Sequence, residues 1–490
     1  MELGSILEFL ENRSIIVTGG TGFLAKIFIE KVLRVQPNVK KLYVLLRASD
    51  TKSAMLRFNT EVVAKDLFRV LKEKHQGNLN ALISEKVTVV PGDISCENLG
   101  VKDSGLLEEM WKQVDVVINL AATTKFDERY DVSLRINTAG AKHVLDFSKK
   151  CAKLKVLVHV STAYVSGEKE GLILETPHKM GETLNGTSGL DIEAEKKLVE
   201  STLKQMHAEN CSEDTIKSAM KDLGIQRAQK YGWPNTYVFT KAMGEMLLGH
   251  LNENMPIVII RPTIVTSTYK EPFSGWAEGV RTIDSLAVAY GKGSLACFLG
   301  NPKSVIDAIP ADMVVNAMIV AMAANANQPN ESIYHIGSSV SNPLEYACIQ
   351  DCGYRYFTKN PWISKDGKPI IVGKMKVLNS MDSFRRYMEI HYLLPLKGLQ
   401  IVNTACCQYF RGLYLDLCRK IKFVMRLVEL YRPYLFFKGY YDDMNTEKLR
   451  RAAKESGVET DIFYFDPKSI NWEDYFMNTH IPGAVKYVFK

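Results

Sequence analysis

The run Ile15-Ile16-Val17-Thr18-Gly19-Gly20-Thr21-Gly22-Phe23-Leu24-Ala25 constrains this chain more than any other stretch. Its β-branched start reads as a buried strand. The glycines allow a sharp turn where a Cβ would clash with the turn or with a ligand. Lys26 to Leu33 then reads as a helix with one apolar side. Strand, glycine turn and helix together form the dinucleotide fingerprint, in which a pyrophosphate rests on the amides of the helix N-terminus. Gly20-x-Gly22-x-x-Ala25 fits its G-x-G-x-x-G/A form. The candidate cofactor contacts here are Thr18, Gly19, Gly20, Thr21, Gly22, Phe23 and Leu24. The plainer alternative is a glycine turn before a helix that binds nothing.

Strand and helix continue to alternate beyond this first unit. Lys41 to Leu46 reads as a second buried strand, and Arg47 ends it. An acidic residue at that position would bind a ribose 2′-hydroxyl, whereas an Arg accommodates a 2′-phosphate through charge-assisted, fork-shaped hydrogen bonds. No Asp or Glu occurs before Asp50, so NADPH is favoured over NADH; the alternative is an Arg exposed to solvent. After a helical stretch to about Lys86, Val87 to Ile94 is a strand and loop, with Asp93 and Ile94 where such folds contact adenine. Val114 to Ala122 is a strand running into small residues. Asn119, Ala121 and Ala122 would let the backbone approach a cofactor at the strand's carboxyl end, or else pack tightly beneath a helix. A helix from about Asn137 to Lys150, a strand Val156 to Val160 and a strand Ile257 to Ile260, with Arg261-Pro262 after it, extend the pattern. The whole argues for an α/β fold with a doubly wound parallel sheet.

At 490 residues the chain exceeds one small core, so a large domain and a smaller second one are expected. The alternation stops near Asn342, which gives units of 1–341 and 342–490, the first carrying a charged, helical insertion at about 181–234. That insertion either roofs the site, binds part of a substrate or forms a solvated helix pair. Met381 to Tyr441 mixes Leu, Tyr, Phe and Met with Arg385, Arg386, Arg411, Arg419, Lys420, Lys422, Arg426 and Arg432. Such a region suits a membrane surface or an acyl-chain tunnel; the alternative is packing against the first domain. A formal charge of +7 fits an anionic ligand or a membrane surface, and no nucleic-acid signature accompanies it. Nine scattered cysteines, without paired or His-linked spacing, read as reduced thiols with no metal site. No signal or transit peptide, lipidation motif or spanning run is apparent.

The chemistry centres on Tyr237-Val238-Phe239-Thr240-Lys241, which places Tyr and Lys one helical turn apart. A phenol with a pKa of about 10 is a poor acid–base group at neutral pH. A neighbouring ammonium stabilises the phenolate and brings the group nearer the working range. Lys241 can also hold a nicotinamide ribose, and Ser161 or Thr162, at a strand end, can supply a hydroxyl beside the reacting carbonyl. Y-x-x-x-K alone carries little weight, since Tyr434…Lys438 repeats it by chance. The ordered set of glycine turn, Arg47, Asp93, Asn119 to Ala122, Ser161-Thr162, Tyr237…Lys241 and Arg261-Pro262 is far more specific.

That ordered set resembles an extended short-chain dehydrogenase/reductase, that is, a Rossmann-type domain. The wider text resembles the plant alcohol-forming fatty acyl-CoA reductases over essentially the whole chain. It does so through Ala122 to Tyr130, His159 to Tyr164, Gly232 to Tyr237, Ile309 to Met313 and Asn478 to Gly483. The resemblance implies NADPH-dependent reduction of long-chain fatty acyl-CoA to a primary alcohol through an aldehyde, with Tyr237, Lys241 and Thr162 or Ser161 catalytic. It further implies a mostly helical C-terminal domain holding the acyl chain, a role in wax, suberin or related lipid synthesis, and residence at the cytosolic face of the endoplasmic reticulum. Three alternatives remain open: a reductase that stops at the aldehyde, an NADP-dependent sugar or sterol dehydrogenase of this fold, and a non-catalytic NADPH-binding protein.

Overall fold

The computed structural model describes residues 3–280, 282–457 and 459–489. Met1, Glu2 and Lys490, at the ends read for targeting signals, lie outside the described residues. Seven strands form one sheet: β1 (Ser14–Thr18), β2 (Lys41–Leu46), β3 (Val87–Pro91), β4 (Val116–Asn119), β5 (Val156–Val160), β6 (Ile257–Pro262) and β7 (Glu331–Ile336). Their order is β7-β6-β5-β4-β1-β2-β3, and every pairing is parallel. Strand order therefore reverses between β1 and β4. At such a switch point the connections leave in opposite directions and open a crevice beyond the strands' carboxyl ends.

Both faces of the sheet are covered, which is why its strands read as nearly continuous apolar runs. Helices α1 (Phe23–Val35), α2 (Gly140–Lys150), α3 (Ile192–Ala208), α4 (Glu213–Lys230), α5 (Thr236–His250) and α6 (Ala311–Ala324) surround it. On one face Ile16, Val117, Leu157 and Ile259 pack with Val144, Leu145 and Phe147 of α2. On the other α6 lies against α1 and the sheet, and it is buried on nearly every side. The helix expected from Asn137 starts earlier, at Tyr130, and reaches α2 through a wider turn at Leu134–Ala139. Tyr130 is fully buried and its hydroxyl donates to Glu195, so tertiary packing sets that start.

The insertion corresponds to α3 and α4, a helix pair with most of its residues facing solvent and one packed side. Ile192, Val199, Ile216, Met220 and Ala228 join Val238, Phe239, Ala242 and Met243 of α5 in one apolar cluster. The pair buttresses the helix that carries Tyr237 and Lys241. A half-buried Glu195–Arg227 ion pair, to which Tyr130 and Tyr231 also bond, ties α3 to α4.

The chain divides into two compact units, and the single cut expected at 341/342 is replaced by an interleaved path. The first unit holds Met1–Ser274, Ala308–Val340 and Tyr440–Pro467; the second holds Gly275–Asp307, Ser341–Gly439 and Lys468–Lys490. Segment 440–467 belongs with the sheet for specific reasons. The Tyr441 ring meets those of Tyr164 and His335 edge-on, and the Glu175 carboxylate accepts the amides of both His335 and Asn445. Burial of that carboxylate pushes its pKa up to about 7, which the two amides only partly offset.

The second unit is mostly helical, with helices at Thr282–Gly291, Tyr346–Lys359, Met381–Met388, Leu394–Ala405 and Arg411–Leu435. Arg411–Leu435 buries Ile421, Val424, Leu427, Val428 and Leu435. Across 390–423, however, Ile390, Leu394, Ile401, Val402, Tyr409, Leu413, Leu415 and Phe423 remain exposed. No described helix is long and apolar enough to cross a membrane.

Candidate active site

The glycine turn sits at the carboxyl end of β1, facing the end of β4. Gly19 has φ +66°, and a Cβ there would lie 2.8 Å from the Ala121 Cα. A Cβ on Gly20 would come within 2.2 Å of a Val44 methyl of β2. Side chains are thus excluded at both positions by the backbone and by the neighbouring strands. Gly22 is the N-cap of α1 and brings no side chain to its first turn. Ala25, at the third position of the motif, is fully buried and tolerated. The cradle is open to a phosphate group and closed to a side chain, which fits a dinucleotide.

Thr18 closes the cradle underneath. Its hydroxyl accepts the amides of Leu120 (3.2 Å) and Ala121 (3.1 Å) and donates to the Asn119 amide oxygen at 2.7 Å. Asn119 in turn lies 2.9 Å from His159 Nδ1. Asn119 therefore joins the turn to β5 from within the sheet, buried at 2% exposure. Asp93 holds its own loop, accepting the Ser95 amide, while the side chain of Ile94 belongs to the core beside α2. Arg47 is exposed at the end of β2. Asp50, the nearest acid, caps the helix Thr51–Phe58 by accepting the Ser53 amide at 2.8 Å. A second guanidinium stands there: Arg57 donates to the Arg47 carbonyl and pairs with Glu61.

Asn235 caps α5 by accepting the Val238 amide, which sets Tyr237 in the first turn and Lys241 one turn on. Tyr237 is half-buried, its ring stacked on Phe126 at 6.1 Å. Lys241 is 1% exposed, its Nζ donating to the Val160 carbonyl at 2.8 Å and lying 3.1 Å from His159 Nε2. Burial lowers its pKa to about 8, against a smaller upward pull from Glu245. Thr162 contacts the Pro262 carbonyl at 3.5 Å and accepts the Tyr164 amide, so the β5 and β6 ends are linked at the candidate hydroxyl. Ser161 also is buried.

Sequence reasoning missed three groups. His159 interrupts an apolar strand and reads locally as core; its polar partners come from β4 and α5. Glu245, which no local pattern marks, forms a fully buried ion pair with Arg261, 2.6 Å apart. Burial alone would raise the Glu245 pKa, but Arg261 more than offsets it and holds the carboxylate charged, below its usual range. Arg57 is ten residues from Arg47, a spacing without local periodicity. Tyr434, by contrast, lies in the last turns of Arg411–Leu435, in the second unit.

A seven-stranded parallel sheet with a glycine turn at its switch point, and a Tyr–Lys helix beside it, defines a nicotinamide-dependent reductase of the extended short-chain dehydrogenase class. One solved neighbour is the reductase domain of a nonribosomal peptide synthetase from Mycobacterium tuberculosis. It has TM-score 0.55 and 16% identity, with 97% of this chain and 91% of that chain covered. Two family models described as male sterility protein match residues 17–318 and 391–490. An alcohol-forming fatty acyl-CoA reductase of Simmondsia chinensis is 62% identical, with 99% of both chains covered. A probable fatty acyl-CoA reductase of Arabidopsis thaliana is 56% identical over the same shares. The chain belongs to the fatty acyl-CoA reductase family.

Proposed function

We propose that this chain reduces the thioester of a long-chain fatty acyl-CoA to the primary alcohol, using two NADPH in succession. The observation that carries the reading is the line of side chains Lys241–His159–Asn119–Thr18, which ties the Tyr237 helix to the glycine turn. NADPH, when bound, supplies hydride. Gly19, Gly20 and Gly22 would take its pyrophosphate, and Asp93 and Ile94 would border its adenine. Arg47 would take the 2′-phosphate, and it is favoured over an acidic contact because Asp50 is committed to its helix cap.

Tyr237 donates its proton to the acyl oxygen as charge develops there, with Thr162 as second donor, which is general-acid and electrostatic assistance together. The resulting hemithioacetal returns that proton and expels coenzyme A as thiolate, leaving an aldehyde. Tyr237 protonates the aldehyde oxygen in the second reduction, and the alcohol leaves. The exposed apolar side chains across 390–423, interspersed with Arg411, Arg419 and Lys422, support a peripheral membrane surface, and with it a place at the cytosolic face of the endoplasmic reticulum.

Stoichiometry tests the reading: with NADPH and a C16–C18 acyl-CoA, about two NADPH should be consumed per free thiol released. A ratio of one would leave an aldehyde-forming enzyme. Consumption that releases no thiol would point to another carbonyl substrate.

A further inference from the structure

The line from Thr18 to Lys241 has a direction, and backbone amides set it. The Thr18 hydroxyl has two lone pairs and one proton. The amides of Leu120 and Ala121 occupy both lone pairs, so the proton goes to Asn119 at 2.7 Å. The Asn119 atom facing Thr18 is therefore the amide oxygen, and its NH2 faces His159 Nδ1 at 2.9 Å. Nδ1 accepts, so the neutral imidazole carries its proton on Nε2. That N–H is turned toward Lys241 Nζ, 3.1 Å away.

An ammonium has three donors and no acceptor, so facing an N–H it meets a donor with a donor. A neutral amine fits, donating to the Val160 carbonyl at 2.8 Å and accepting from His159 through its lone pair. We propose that His159 is a positioning residue: the Thr18–Asn119 line locks its tautomer, and its Nε2–H disfavours the ammonium form of Lys241, making that side chain an exchanger of protons rather than a permanent cation. The proposal rests on the reading of Tyr237 and Lys241 as the reactive pair.

The surroundings agree. Burial lowers the pKa of Lys241 to about 8. Burial, and then the nearby Lys241 charge, drives that of His159 well below its ordinary value, so the imidazole stays neutral and keeps its tautomer. Glu245, one turn further along α5, pulls the other way, but Arg261 of β6 pairs with it. On β4 the facing group is the uncharged Asn119, and on β6 the residue beside His159 is Ile259. The consequence is a reset step. Once Tyr237 has given its proton to the product oxygen, the Lys241 amine, drawn by the new phenolate charge, takes a proton from solvent and passes it to the phenolate. Phenol and neutral amine are both restored, and the proton spent on the product comes from solvent.

The test is a proton titration of cofactor-free protein whose lysines carry 13C at Cε, followed by NMR, with the Lys241 signal identified by its loss in Lys241→Met. The wild-type midpoint should lie well below that of an ordinary lysine. Asn119→Asp gives His159 Nδ1 an acceptor, moves the imidazole proton to Nδ1 and turns Nε2 into an acceptor. The Lys241 midpoint should then rise by about one pH unit or more. Thr18→Val, which frees Asn119 to rotate, should raise it part of the way and serves if the aspartate variant does not fold. An ordinary midpoint in wild type, or one midpoint shared by all three proteins, overturns the proposal. Undiminished acyl-CoA reduction by both Tyr237→Phe and Lys241→Met would instead sink the active-site reading, while the midpoints still report the wiring.

Discussion

The polar groups at the strand ends of the first unit and those of helices 381–435 in the second are handled in opposite ways. Around β1, β4, β5, β6 and α5, Thr18, Asn119, His159, Lys241, Glu245 and Arg261 are each at most 3% exposed, and each is satisfied by another of them or by backbone. Along 390–423 the pattern inverts: apolar side chains face outward while Lys420 keeps its charge in an exposed pair with Asp416. A buried network has one arrangement, because an unpaired member costs its full desolvation. An exposed apolar, basic surface is adaptable and gains its energy from whatever covers it. The first region holds its polar groups at one fixed geometry, and the second leaves apolar and basic side chains exposed.

If that contrast holds, substitutions in the network should cost far more than those on the helices. Tyr237→Phe should lower alcohol formation by roughly a thousandfold, with NADPH binding, measured by fluorescence titration, within about twofold of wild type. Retained turnover would remove Tyr237 from the chemistry. Glu245→Ala leaves Arg261 buried without its counter-charge and should cost about 3–5 kcal/mol in denaturant unfolding. A loss under about 1 kcal/mol would mean water reaches the pair and the network is softer than described.

Arg47→Ala should weaken NADPH by about 2 kcal/mol and NADH hardly at all, as read by competitive binding. Equal losses would make Arg47 structural and bring Arg57 forward. The smallest expected effect is on the helices: Ile401→Asp combined with Val402→Asp should change unfolding stability by no more than about 0.5 kcal/mol. The same variant should bind anionic phospholipid vesicles measurably less in flotation. A large stability loss would show that these positions are covered by protein, and the comparison between the two regions would fail.

The sheet was legible because its strands are short β-branched runs separated by helical periodicity, and β2 and β5 fall on the expected residues. Local pattern also found the Tyr237 helix, whose start is announced by the capping Asn235. What stayed hidden depends on contacts distant in sequence. His159 has no polar neighbour in Val156 to Val160; it becomes part of the site because β4 and α5 bring Asn119 and Lys241 to either side of its ring. Segment 440–467 reads like its helical neighbours, and long-range contacts such as the edge-on Tyr441 ring and the Glu175 carboxylate return it to the first unit. The Tyr130 helix start is concealed for the same reason, being fixed by Glu195, 65 residues away.

One site carrying the thioester all the way to the alcohol is what the proposed mechanism requires. The most direct measurement incubates purified protein with NADPH and a panel of saturated and unsaturated acyl-CoAs, then separates the lipids. Primary alcohol should form without accumulation of aldehyde, and Tyr237→Phe should abolish it. Aldehyde as the end product, or no lipid product from a protein that binds NADPH, would contradict that mechanism.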